Sequence, residues 1–127
     1  MIIKDALIFI IGMFLEKQIT KTNETEWRPL IEKGVKTDGV YVKVLRSDEN
    51  TKRSPTILLK FEPGASYPNH NHPVGEEAFV LQGEIRFGPD QLTAGDYLYT
   101  PPGKTHSVFS RTGCTLLLVI PEEVVIL

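Results

Sequence analysis

Apolar residues recur along this chain in runs of three to six, most of them closed by glycine, proline or aspartate. Residues 40–45, 56–61, 78–82, 84–87, 91–93, 97–100, 106–109 and 115–120 have strand length and the β-branched or aromatic content of strands. The punctuation between them is turn chemistry: Lys33-Gly34, Asp38-Gly39, Pro63-Gly64, Gly88-Pro89 and Gly95-Asp96. The charged stretch 46–55 reads as a solvated hairpin end. No stretch of useful length repeats its apolar positions at a helical period. Many short strands with regular turn signals predict an all-β sandwich or small barrel. Pro121 stops the series and leaves residues 122–127 as an apolar-tipped tail.

The N-terminus breaks this rhythm. Residues 6–15 are a ten-residue apolar run, half of the roughly 20 residues needed to span a bilayer. The run has the length of a signal-peptide core. Yet Lys4 is offset by Asp5, and Glu16-Lys17-Gln18 follows where a small-residue cleavage site would stand. We take residues 1–25 as an N-terminal extension whose apolar part forms a strand; a targeting segment, or a start at Met13, are the other readings. An apolar strand at a chain end invites pairing with a partner's sheet edge, so a homodimer is expected. Residues 26–127 then form one domain, long enough to bury a core without staples. Trp27, at its start, is expected to pack against the outside of a sheet.

Composition narrows the partners. The formal net charge is -2, with both signs interspersed, so no basic footprint points to nucleic acid, and no segment points to a membrane. The single cysteine, Cys114, excludes an internal disulfide and fits a reducing, cytoplasmic setting. It precedes an aliphatic run, so it reads as a buried strand residue and not as a reactive thiol.

The chemistry concentrates in two turn-bounded segments. His70 and His72, at i and i+2 on an extended stretch, project from one side of a strand. Glu76 follows four residues after His72, across Pro73-Val74-Gly75, which can bend the chain back. Two imidazoles and a carboxylate converging on one point make a divalent-metal site with open positions. The third and last histidine, His106, follows the tight turn Pro101-Pro102-Gly103.

The spacing of these residues resembles the two cupin motifs. Gly64, His70, His72, Glu76 and Gly83 fall at the fixed positions of the first, and Gly95, Pro101, Gly103 and His106 at those of the second. The second motif usually ends in asparagine, where this chain has Ser110. The likeness covers about residues 26–121 and is nearest to the cupin domain of ChrR-type anti-sigma factors and to small dioxygenase-like cupins. It implies a double-stranded β-helix, or jelly-roll barrel, with His70, His72, Glu76 and His106 as metal ligands. Spacing selects Glu76 over Glu77, which would point to the opposite face. Such a donor set suits one divalent ion per chain, Fe(II), Mn(II), Ni(II) or Zn(II), and an octahedral ion would keep two positions open. Those positions could take a diketone or hydroxyketone, or a substrate oxygen and O2, with Glu76 available as a base if it detaches. Phe61, Phe79, Phe87, Tyr97, Tyr99 and Val108 are the candidates to wall the cavity, and alternation alone does not say which face inward.

Two functions follow from the resemblance. One is a small metal-dependent dioxygenase-like oxidoreductase; the other is a ChrR-like sensor or binding module without catalysis. ChrR-type proteins carry a helical sigma-binding domain ahead of the cupin. The roughly 25 residues ahead of it here have no amphipathic helical pattern and no cysteine/histidine pairs, so the enzyme reading is preferred.

Overall fold

The computed structural model describes residues 17–48, 50, 53–121 and 125–127. The apolar run at 6–15, with its expected strand and dimer contact, lies outside the described residues. Ten strands follow in chain order: β1 (Arg28–Pro29), β2 (Val40–Arg46), β3 (Thr56–Phe61), β4 (Ser66–Asn71), β5 (Glu76–Phe87), β6 (Asp90–Thr93), β7 (Tyr97–Thr100), β8 (Thr105–Phe109), β9 (Cys114–Val119) and β10 (Val125–Ile126). One turn of 3-10 helix at Thr22–Glu24 is the helical element among the described residues. None of their helices is long and apolar enough to cross a membrane.

All pairings are antiparallel and fall into two sheets. The first runs β1-β2-β3-β9-β5-β7 and the second β10-β4-β8-β5-β6. The long strand β5 belongs to both. Its first half pairs with β9 and β7, and its second half with β8 and β6. The sequence suggests two strands meeting at Gly83; the structure has one strand that bends there. A register shift lies between Val80 and Gln82, and Gly83 has φ of +80°. The bulge flips the alternation, so that Glu76, Ala78 and Val80 face inward before it and Ile85 and Phe87 after it. Gly83 also lies against the Gly113 backbone, where a Cβ would overlap the carbonyl oxygen.

The inward faces of both sheets make one core. Val80, Ile85 and Leu116 are almost fully buried, and each contributes roughly 1.5–3 kcal/mol relative to exposure. Cys114 is part of this core, and burial pushes its thiol up to about 12. Trp27 packs outside the first sheet. The Lys43 and Lys60 ammonium groups lie 4.7 and 4.9 Å from its ring centroid, and Lys43 Nζ also donates to the Thr22 carbonyl at 2.6 Å. The C-terminal tail is more than a tip: Val125 and Ile126 pair with Asn71 and His70, extending the second sheet beyond β4.

Candidate metal centre

The two sheets bring together the residues that the sequence spacing singles out. His70 on β4 and His106 on β8 are direct cross-strand partners. His72 leaves β4 two residues after His70, with its side chain on the same inner side. The chain then reverses through Pro73-Val74-Gly75, where the Gly75 amide donates to the His72 carbonyl at 3.1 Å. Gly75 holds φ of +91°, and a Cβ there would stand 3.0 Å from the Thr100 carbonyl oxygen. Glycine therefore permits the close turn that starts β5 with Glu76 facing the histidines.

The donor atoms of all four residues lie within 4.8 Å of one another, and all four side chains are buried. His70 Nε2 is 2.9 Å from His72 Nε2 and 3.1 Å from His106 Nε2. His72 Nε2 is 2.8 Å from Glu76 Oε2, and His106 Nε2 is 3.8 Å from Glu76 Oε1. His70 Nδ1 lies 2.8 Å from the Pro68 carbonyl. A carbonyl only accepts, so Nδ1 carries the proton and the Nε2 lone pair faces the cluster. The Tyr67 ring meets His70 edge-on, and the Phe87 ring tilts against His106.

The cluster leaves buried polar atoms without hydrogen-bond partners. Burial lowers the pKa of His70, and it lowers that of His106 to about 4, so both rings stay neutral near pH 7. Glu76, 4% exposed, meets imidazoles as its ion-pair partners, and its Oε1 has no hydrogen-bond partner. The buried His72 Nδ1 also lacks one. A buried carboxylate oxygen without a hydrogen-bond partner is costly unless a positive charge joins it. Distances agree with that occupant. Bonds of about 2.1 Å set neighbouring donors ~3.0 Å apart around an octahedron and ~3.4 Å apart around a tetrahedron. The pairs at 2.8, 2.9 and 3.1 Å match the octahedral edge, whereas His106 Nε2 and Glu76 Oε1, 3.8 Å apart, stand wider than either edge. The four residues thus fit a divalent ion.

Three of the four, His70, His72 and Glu76, form the floor of a cavity of about 430 Å³. Phe61, Phe87 and Val108 line it, whereas Phe79, Tyr97 and Tyr99 lie exposed on the outer face of the first sheet. Glu77 is exposed too and accepts a hydrogen bond from the Tyr97 hydroxyl at 2.7 Å. Ser110, at the position that departs from the motif, is fully buried. Its hydroxyl donates to the Glu84 carbonyl at 2.6 Å and accepts from the Gly113 amide at 3.0 Å, tying the loop before β9 to β5. One cavity residue carries no sequence signal. Glu32, in the irregular stretch between β1 and β2, reaches the wall and accepts from the Tyr67 hydroxyl at 2.8 Å. Burial, then the hydrogen bond to Glu32, raise the Tyr67 pKa, so the phenol keeps its proton.

Known proteins share this architecture. The profile of the ChrR cupin-like domain matches residues 15–121. No curated protein matches significantly in sequence. Among solved structures, a candidate acetylacetone dioxygenase of Methylibium petroleiphilum superposes with a TM-score of 0.80 at 18% identity, covering 89% of this chain and 82% of that one. An acetylacetone dioxygenase of Acinetobacter johnsonii gives 0.68 at 18% identity, covering 84% and 73%. The anti-sigma factor ChrR of Rhodobacter sphaeroides, solved in complex with SigE, gives 0.63 at 24% identity, covering 79% of this chain and 50% of that one. At these identities the likeness speaks for the fold.

Proposed function

The chain belongs to the ChrR cupin-like family, and from that premise we propose that it is a small metal-dependent, dioxygenase-like oxidoreductase acting on a diketone or hydroxyketone. In this reading His70, His72, Glu76 and His106 hold one divalent ion. The observation that carries the proposal is the buried Glu76, its Oε1 without a hydrogen-bond partner, grouped with three buried imidazoles beside an otherwise largely apolar cavity. A structural ion would be closed off by its ligands, whereas here space remains above the donors.

Divalent iron at this position would supply Lewis-acid polarisation of a ketone's oxygens and a redox partner for O2. The chain's own residues do the rest. His70 is fixed in one tautomer by the Pro68 carbonyl, so its Nε2 lone pair is aimed before any ion arrives. Leu59, Phe61, Phe87 and Val108 exclude water from the carbon skeleton of the substrate. Glu76, with Oε1 lacking a hydrogen-bond partner, has an oxygen to accept a proton from a bound acid.

The family description supports a second reading, in which the same cluster holds its ion as part of a sensor or binding module. Elemental analysis beside oxygen uptake, with Fe(II) and a panel of β-diketones and hydroxyketones, separates the two. Iron near one per chain with substrate-dependent uptake is the expected result. Tightly held zinc and no uptake with any substrate would overturn the enzyme reading in favour of the sensor.

A further inference from the structure

The cavity has a second polar pole, which the ion-binding cluster does not use. The Tyr67 hydroxyl points at the Glu32 carboxylate, 2.8 Å from each oxygen. A phenol has a single proton, and here it is donated in a hydrogen bond to Glu32. What this pair still offers to the cavity is therefore lone pairs only, on the carboxylate and on the phenol oxygen. Apart from Ser54 and the donors on the floor, the remaining wall is hydrocarbon, including Leu30, Val42 and Leu59. The floor, once it holds a cation, attracts the oxygen lone pairs of a ligand. The Glu32–Tyr67 pole attracts the opposite, a proton.

We propose that Glu32 and Tyr67 form a donor-selective subsite, so that the cavity's ligand carries a hydroxyl or ammonium group apart from the oxygens that meet the metal centre. A ligand ending in a carboxylate is disfavoured at this pole, because it would set two anions together in a largely apolar wall. The inference rests on a ligand entering the cavity as proposed above. It deepens that reading by favouring a hydroxyl-bearing ketone over a plain diketone.

The test is binding to the full-length protein loaded with zinc, a redox-inert ion. Three kinds of β-diketone probe share one chelating head: a plain alkyl chain, chains ending in a hydroxyl after one to three carbons, and the same chains ending in a carboxylate. Titration calorimetry should rank the best hydroxyl probe about tenfold tighter than the alkyl probe, and the carboxylate probe about tenfold weaker. Glu32→Gln keeps an acceptor for Tyr67 and adds N–H donors. It should leave zinc content unchanged and bring carboxylate and alkyl probes to within about threefold. Tyr67→Phe should keep the carboxylate penalty and lower the hydroxyl preference. Equal affinity for all three probes, no binding by any, or a carboxylate penalty that survives Glu32→Gln would overturn the subsite. Because the readout is binding, a protein that obeys this rule yet takes up no oxygen would refute the dioxygenase reading and leave the subsite standing.

Discussion

Glu76 and Glu77 are adjacent in sequence, and the strand they share sends them to opposite faces. Glu76 is buried among imidazoles; Glu77 is exposed and bonded to Tyr97. Glu76→Gln should therefore lower metal retention by tenfold or more, since metal affinity depends on the deprotonated ligand, and Glu77→Gln should change it little. Metal content after gel filtration decides, and the reverse result would assign the carboxylate wrongly. The imidazoles give a pH prediction for the metal-free protein. His70 and His106 have folded pKa values below the unfolded value of about 6.5, so the unfolded chain takes up protons first as pH falls. Their neutral burial costs nothing above that pH, and stability should drop between about pH 6.5 and 4. Thermal melts across the window test this, and His106→Gln should flatten the slope. The grouping of these residues was legible because side chains able to hold a metal ion stand at a particular spacing in the sequence. Glu32 was not, since a single carboxylate in an irregular stretch gains meaning only from the tyrosine that the fold sets beside it, 35 positions later.

At the scale of strands, Gly83 is the critical position, because β5 passes from one sheet to the other there. Gly83→Ala must move the Gly113 backbone and hold alanine at positive φ, so a cost of about 3 kcal/mol or more is expected. Gly95 also has positive φ but open space around it, and Gly95→Ala should cost about 1 kcal/mol. Denaturant melts of the pair separate the clash from the strain; equal costs would deny the close approach its role. Most strands were readable from turn chemistry and short apolar runs, but the two-residue strands β1 and β10 were not. Facing was not, because alternation fixes which residues share a side without saying which side is inner. The site itself resolves the ambiguity. With Glu76 inside, the even positions before the bulge face inward and Phe79 must face out, as it does. On β7 the buried Thr100 places Tyr97 and Tyr99 outside by the same rule.

Over the whole molecule, the pairing of β3 with β9 and of β5 with β9 joins segments far apart in sequence, which periodicity cannot specify. The jelly-roll expectation therefore came from the motif resemblance, and the sheet order emerges only from the structure. An ion in the centre would stabilise the fold by mass action, about 4 kcal/mol at a thousandfold excess over its Kd. Chelation should then lower the melting temperature by ~15 °C, and calorimetry with and without chelator measures it. An unchanged midpoint on removal of a bound ion would place the donors' affinity in the unfolded chain as well. The partition of the donors between sheets has a mechanical consequence. His70 and His106 are locked to each other by cross-strand register in the second sheet, whereas Glu76 sits where β5 still runs in the first. If the four residues held an ion, prying the two sheets apart would load Glu76 before it disturbed the imidazole pair. The centre would behave as a hinge pin with one weak tooth, yielding at Glu76 under load while the histidines kept their grip.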